Sequence, residues 1–184
     1  RYRQRTDPGR ITDEVLRLSS TPRGRLLARD RLIDSGEWAV PIMIQALRDP
    51  SRSDEYANIS WALPKLGNPA VNPLVVALQQ CTELNIRLVV LDALGKIGYK
   101  SVLPYIQQIL ETQANESQLQ RQGLPAIAAI QGGEGELVIP AAVLFEQLGQ
   151  AYYDDRPSLR VPENQDFANV WFWNDVEGLL PARV

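Results

Sequence analysis

Three glycines recur along this chain at a fixed spacing. Gly36, Gly67 and Gly98 lie 31 residues apart, and each is followed within six residues by a valine and then a proline. A repeat of this length is typical of a solenoid, because a unit this small can bury its apolar side only against its neighbours. The spacing therefore predicts a row of similar units that share one continuous core.

The segment after each glycine predicts one helix per unit, which we call the first helix. Its apolar residues recur at i, i+3, i+4 and i+7, the pattern of a helix with one apolar side. A proline stands near the start, where its missing N–H costs little because first-turn N–H groups have no partner within the helix. The apolar sets are Val40, Met43, Ile44 and Leu47; Val71, Leu74, Val75 and Leu78; and Val102, Tyr105, Ile106 and Ile109, with prolines at Pro41, Pro73, Pro104 and, in a fourth unit, Pro140.

The segment before each glycine predicts a second helix, over residues 26–35, 56–66, 86–97 and, in the fourth unit, 119–130. Each glycine then lies just past a helix end, where a left-handed backbone favours glycine. We therefore expect positive φ at Gly67 and Gly98. The inward columns of the second helices are Ala28, Ile59 and Val90, and Leu32, Leu63 and Leu94, and one core should contain Leu63, Leu94, Val75 and Ile106.

The expected architecture is an all-α, right-handed solenoid of about four helical pairs. Residues 22–152 form the repeats, and residues 1–21 form an N-terminal segment with a candidate capping helix over 11–19. Residues 153–184 form a tail or cap, in which alternation around residues 170–173 predicts a strand or hairpin. We expect Trp171 or Trp173 to pack on the last helix, over 140–152, after a glycine-rich insertion at 132–136. The opening residue is Arg1, which indicates a piece of a longer protein.

The composition removes several kinds of chemistry. The chain has no histidine, which excludes Ser-His-Asp and Cys-His nucleophiles and histidine-ligated metals. Its single cysteine, Cys81, forms neither an intrachain disulfide nor a thiolate metal site. We therefore predict no catalytic residue, no metal and no cofactor. No apolar run reaches the roughly 18 residues of a membrane span, and a net charge of −3 disfavours a dedicated nucleic-acid binder.

Two short motifs resemble HEAT repeats, in particular those of the bilin-lyase-like HEAT group. Leu63-Pro-Lys-Leu-Gly67 and Leu94-Gly-Lys-Ile-Gly98 are each followed by Ala/Ser-Val-x-Pro, and the resemblance covers about residues 22–150. It implies a helical solenoid whose second helices line the concave surface. Proteins with such repeats include scaffolds, bilin-attachment proteins, DNA glycosylases and a di-iron hydroxylase. The hydroxylase relatives use His-Glu pairs, which this chain cannot form.

The outward side of the second helices is the predicted binding face. Trp61 stands in a column whose neighbours one period away are Asp30 and Asp92. An aromatic residue inside a polar rim resembles the anchor of a binding hot spot. The alternative is that the indole covers apolar surface between helices, as single exposed apolar residues often do. The candidate partner-binding residues are Asp30, Asn58, Trp61, Lys65, Val89, Asp92 and Lys96.

The sequence favours a non-catalytic scaffold module that binds a protein or peptide through this concave face. The alternative is binding of nucleic acid or an acidic partner through the N-terminal unit, because nine arginines fall within residues 1–31. Those arginines could instead pair with nearby carboxylates. A DNA glycosylase would need a basic groove with an aspartate and aromatic residues on the concave face. In this chain only Asp92, beside Trp61 in the outward column, matches part of that requirement. Trp171 and Trp173 suit either a stacking platform or a docked flap. The sequence does not indicate a small-molecule ligand, an oligomeric state or a cellular compartment.

Overall fold

A computed structural model describes residues 5–133, 139–159 and 169–183 of the chain. Within these ranges the protein is a helical solenoid followed by a small hairpin, as predicted, and residues 134–136 of the predicted insertion lie outside them. The helices are α1 (Pro8–Arg17), α2 (Pro22–Ser35), α3 (Ala39–Arg48), α4 (Tyr56–Ala62), α5 (Val71–Gln80), α6 (Leu84–Ile97), α7 (Leu103–Thr112), α8 (Ser117–Gln131) and α9 (Ala141–Tyr153). The strands are β1 (Asn169–Asn174) and β2 (Gly178–Arg183).

The helices form two rows. The first helices α3, α5, α7 and α9 pack in one row that α1 opens, and the second helices form the other row, in which the 3-10 turn Leu63–Leu66 after α4 makes the contacts of the second unit with α2 and α6. The predicted core is confirmed, since Leu63, Leu94 and Ile106 are fully buried and Val75 is nearly so. One apolar cluster runs without interruption from Ile11 to Leu144.

The three periodic glycines make the turns between units. Gly36, Gly67 and Gly98 have φ values of 59°, 69° and 73°, so the predicted positive φ is confirmed. At Gly67 the ψ value of −155° places the backbone in a region that only glycine occupies readily. The chain leaves each second helix through this turn and enters the next first helix within a few residues.

The second helix of the second unit is shorter than predicted. The sequence pattern predicts one helix over residues 56–66, whereas α4 ends at Ala62 and a 3-10 turn, Leu63–Leu66, completes the segment. Pro64 explains the change, because it has no N–H to continue the α-helical hydrogen bonds. Gly67 then donates its N–H to the Pro64 carbonyl at 3.3 Å.

A polar side chain near the start of a second helix repeatedly closes the end of the preceding first helix. Arg25 donates from Nε to the Leu18 carbonyl at 2.9 Å, and Arg87 donates to the Leu78 carbonyl at 3.1 Å. Gln120 donates in the same way to the Leu110 carbonyl at 2.7 Å. Carbonyl groups at a helix end have no partner within the helix. These three bonds supply one and join the start of the second helix to the end of the first helix before it.

The tail forms the predicted hairpin, but it does not cap the last repeat. Strand β1 pairs antiparallel with β2, from Asn169↔Arg183 to Asn174↔Gly178. The hairpin lies mainly on α3 and α5, so the expectation that its tryptophans pack on the last helix is wrong. The physical reason is a specific site near the first periodic glycine, where Trp171 finds both a hydrogen-bond acceptor and an aromatic partner.

Candidate functional site

The outward sides of α2, α4, α6 and α8 form a surface that we call the second-helix face. Ala28, Ile59 and Val90 are fully buried, as are Leu32, Leu63 and Leu94 to within 1% of their surface. Because helix residues half a turn from a buried stripe point the opposite way, Asp30 and Trp61 lie on the side away from the core, and both residues are exposed.

Two of the candidate aspartates are engaged within the protein. Asp30 accepts from Arg29 Nη2 at 2.6 Å, beside it on α2. Asp92 accepts from Lys96 Nζ at 2.7 Å and from Gln122 Nε2 at 3.2 Å, so it links α6 to α8. Each of these two aspartates is thus paired with a cation of its own helix.

Trp61 is partly exposed, with 38% of its surface accessible. Three other candidates surround its position in the sequence pattern. Asn58 donates to Ser19 Oγ at 3.1 Å and ties α4 to the loop between α1 and α2. Val89 is half-buried against the core, and Lys65 is exposed in the 3-10 turn after α4. The anchor role of Trp61 stays a prediction.

The predicted candidate set omits three exposed apolar side chains on α2. Leu26, Leu27 and Ile33 are accessible over 47%, 50% and 39% of their surfaces. Their signal in the sequence is the adjacent pairs Leu26-Leu27 and Leu32-Ile33, because neighbouring helix residues point about 100° apart and cannot all face one core. Only Leu32 of these four turns fully inward.

The opposite surface, formed by α3 and α5, is covered by the hairpin. Trp171 is buried, with its ring edge against Trp38 at 5.7 Å between centroids, and its Nε1 donates to Glu37 Oε2 at 2.8 Å. Asn169 Nδ2 donates to the other Glu37 oxygen at 2.6 Å. These contacts favour the docked flap over a stacking platform for Trp171.

Arg48 of α3 holds the other end of the hairpin. It donates to Glu83 Oε1 at 2.6 Å and to the Asp175 carbonyl at 2.8 Å, and its guanidinium lies 5.2 Å from the Trp173 ring centroid. The planar group therefore connects α3, the start of α6 and the hairpin turn. Trp38, the aromatic partner of Trp171 at the first end, is half-buried.

Many N-terminal arginines contact acceptors within the chain. Arg31 and Arg17 both donate to the buried Glu14, at 2.6 and 3.3 Å, and Arg29 pairs with Asp30. Arg5 lies 3.7 Å from Asp34. This pairing is what a structural role for these side chains predicts, and it leaves less of their charge available to a polyanion.

The thiol of Cys81 is buried at the end of a first helix and so lies outside the second-helix face. Burial raises the pKa of the Cys81 thiol, which lies at the end of α5. Across the described ranges, no three acidic, cysteine or histidine side chains are grouped as a metal site would require. Every helix in the same ranges is too short or too polar to span a bilayer.

Comparison with known proteins identifies the repeats. Residues 40–122 match the family model for HEAT repeats, a segment from α3 into α8. No curated protein and no solved structure matches the chain. The matched segment contains the glycine turns at Gly67 and Gly98 and the buried columns described above, so residues 40–122 of this chain are HEAT repeats, as the sequence resemblance predicts.

Proposed function

We propose that this chain is a non-catalytic scaffold module of a longer protein that binds a protein or peptide through its second-helix face. The proposal takes the solenoid as right-handed, with about four helical pairs, so that this face is the concave one. HEAT repeats are commonly protein-interaction scaffolds, which supports this class of function over an enzyme.

The observation that carries the proposal is the unequal covering of the two faces. The chain covers α3 and α5 with its own hairpin and buries Trp171 there. On the other face, Trp61 and the apolar residues of α2 stay exposed. Clustered exposed apolar side chains with polar neighbours are typical of protein-binding surfaces. Trp61 would supply binding energy as an amphipathic anchor, and the charged columns would set the register of the partner.

A site-specific photocrosslinker tests which face binds. The photoreactive residue p-benzoylphenylalanine is placed at Asn58, beside Trp61, and the control position is Gln147, exposed on α9. In cells that make the protein, we expect an adduct with a second polypeptide from position 58 and none from position 147. The partner recovered in this way should lose binding to purified Trp61→Ala protein. Adducts from position 147 alone would contradict the proposal.

A further inference from the structure

We infer that the second-helix face takes an acidic polypeptide segment with apolar side chains, which packs on the surface formed by α2 and α4. This inference rests on the proposed function and names the chemistry of its partner.

The exposed apolar side chains of the second-helix face are concentrated at one end, with Leu124 of α8 as the exception. Exposed Leu26, Leu27 and Ile33 on α2 and Trp61 on α4 lie on neighbouring second helices, and we call these four residues the α2–α4 patch. The positions two periods further on, in α6, are Leu88, Val89 and Gly95, which are half-buried or lack a side chain. A partner that buries apolar side chains on this face therefore gains most at the α2–α4 patch.

The charges around the patch are unbalanced. Helix α2 carries four arginines and two aspartates. Asp30 pairs with Arg29, Asp34 lies near Arg5, and Arg31 pairs with Glu14. Among the described residues, no carboxylate lies within ion-pair distance of Arg23 or Lys65, and both side chains belong to exposed residues. Of the described carboxylates on or beside this surface, Asp30 and Asp34 have cations and Asp54 has none, so two unpaired cations stand against one unpaired carboxylate.

The two unpaired cations lie at opposite ends of the patch. Arg23 belongs to the first turn of α2, and Lys65 follows α4 at the position that corresponds to Asp34 of α2, one period away. Asp34 lies eleven positions after Arg23, about 16 Å along a helix axis, and Lys65 is displaced from Asp34 by one helix spacing of about 8–10 Å. A segment with apolar side chains between two carboxylates at the resulting separation would meet Leu27 and Trp61 in the middle and a cation at each end.

The same features disfavour nucleic acid as the partner. A phosphate polymer gains its affinity from uninterrupted positive charge, whereas Asp30, Asp34 and Asp54 are exposed on or beside this surface. Four exposed apolar side chains would gain nothing from phosphates, and they match the apolar side chains of a peptide. Charge then selects the partner and speeds its encounter, and apolar burial holds it.

The test uses a displayed library of random 16-residue peptides, selected on the purified, immobilised 184-residue chain. Enriched peptides are synthesised with a fluorophore, and their dissociation constants are measured by fluorescence anisotropy at about 50 and 300 mM salt. We expect the enriched peptides to carry net negative charge and several apolar residues. Their binding should weaken severalfold at the higher salt concentration, as screening of exposed charges requires.

Four variants separate the contributions. Trp61→Ala should weaken binding about tenfold or more, and Lys65→Glu should weaken it severalfold and reduce the salt dependence. Leu27→Ser removes a more exposed member of the patch. It replaces Trp61→Ala as the test of the patch if Trp61→Ala strongly lowers the melting temperature. The matched control is Tyr153→Ala, an aromatic truncation on α9 with 87% of the residue exposed, which should leave binding within about twofold.

The outcomes distinguish the two proposals. Neutral or basic enriched peptides that lose binding to Trp61→Ala would overturn the acidic partner and retain the binding face. Peptides that bind the wild type, Trp61→Ala and Leu27→Ser equally would overturn both proposals, and so would a library from which nothing is enriched. A 30-nucleotide single-stranded DNA that binds more tightly than any peptide, and independently of Trp61, would replace the peptide with a polyanion.

Discussion

At the scale of single residues, the repeat columns decide which side chains carry the stability of the fold. Leu94 is fully buried near the C-terminal end of α6, with Leu63 at the same position one unit before. Leu94→Ala should lower the free energy of unfolding by about 2–5 kcal/mol, because it removes buried methyl groups and leaves a cavity. Urea denaturation followed by circular dichroism measures this change.

The control for that variant is Leu124→Ala, on the exposed side of α8, where 52% of the leucine is accessible. Its effect should stay within about 0.5 kcal/mol, as for most surface substitutions. Equal losses for the two variants would mean that the columns do not define the core.

Cys81 gives a second prediction at this scale. Its thiol is buried, and burial raises its pKa because the thiolate would lose hydration. A raised pKa means less thiolate at any pH near neutrality, and the thiolate is the reactive form. In the folded protein at pH 8, Cys81 should therefore react with Ellman's reagent much more slowly than in the protein unfolded in guanidinium chloride. Equal rates in the two states would contradict the buried position.

At the scale of elements, the glycine turns set the repeat. Gly67 has φ of 69° and no atom within 4 Å of an added Cβ, so an alanine there would suffer from its backbone conformation alone. Gly67→Ala should cost about 1–3 kcal/mol. Gly149→Ala is the matched change within α9, where space is also open, and it should stabilise by roughly 0.5–1 kcal/mol. Opposite shifts in urea midpoint are expected, and a destabilising Gly149→Ala or a neutral Gly67→Ala would contradict this account.

The elements also show why much of the fold can be predicted from the sequence. Each helix packs on helices from its own or the next unit, so the 31-residue period records the contacts directly, and the columns through Leu63 and Leu94 follow from it. The small residues Ala62 and Ala93, one period apart, are both buried, which allows helices to approach closely. A particularly tight approach, however, joins Gly95 of α6 to Ala126 of α8, where an added Cβ would lie 2.8 Å from that of Ala126.

The hairpin site has no such local signal. Glu37 and Trp171 are 134 residues apart, and neither belongs to the repeating columns. Their pairing depends on where the whole solenoid brings the tail, so the residue pattern predicts a hairpin and a packed tryptophan but not the docking surface. For a related reason, the sequence does not predict that Leu26 and Ile33 are exposed. Helix α2 has apolar residues on two sides, and the pattern alone does not indicate which side is buried.

At the scale of the whole molecule, the described residues after α9 contact the turns between units at two places. Ser158 accepts a hydrogen bond from the Tyr99 hydroxyl, and Tyr99 follows Gly98 as Glu37 follows Gly36. Glu37, at the equivalent position two periods earlier, contacts Asn169 and Trp171 of the hairpin.

Removal of residues 160–184 should lower the melting temperature and increase the fluorescence of the dye ANS. The deletion uncovers Trp38 and the apolar sides of α3 and α5 that the hairpin now buries. Phe172→Ser is the matched control, because Phe172 lies on the outer side of the hairpin with 44% of its surface exposed, and it should change the melting temperature little. An unchanged melting temperature after the deletion would mean that the hairpin adds nothing to the fold.

The docked hairpin also decides how the protein carries mechanical load. Tension applied between the two ends of the chain reaches β2 first and passes through Arg48 and Glu37 directly into α3 and the turn before it. The part of the chain between α3 and the hairpin forms a closed loop outside that path. The helices α4 to α9 lie in this loop and are therefore shielded from tension until the hairpin detaches, whereas α1 and α2 lie on the path itself, so the contacts at Glu37, Trp38 and Arg48 set the force at which α4 to α9 begin to separate.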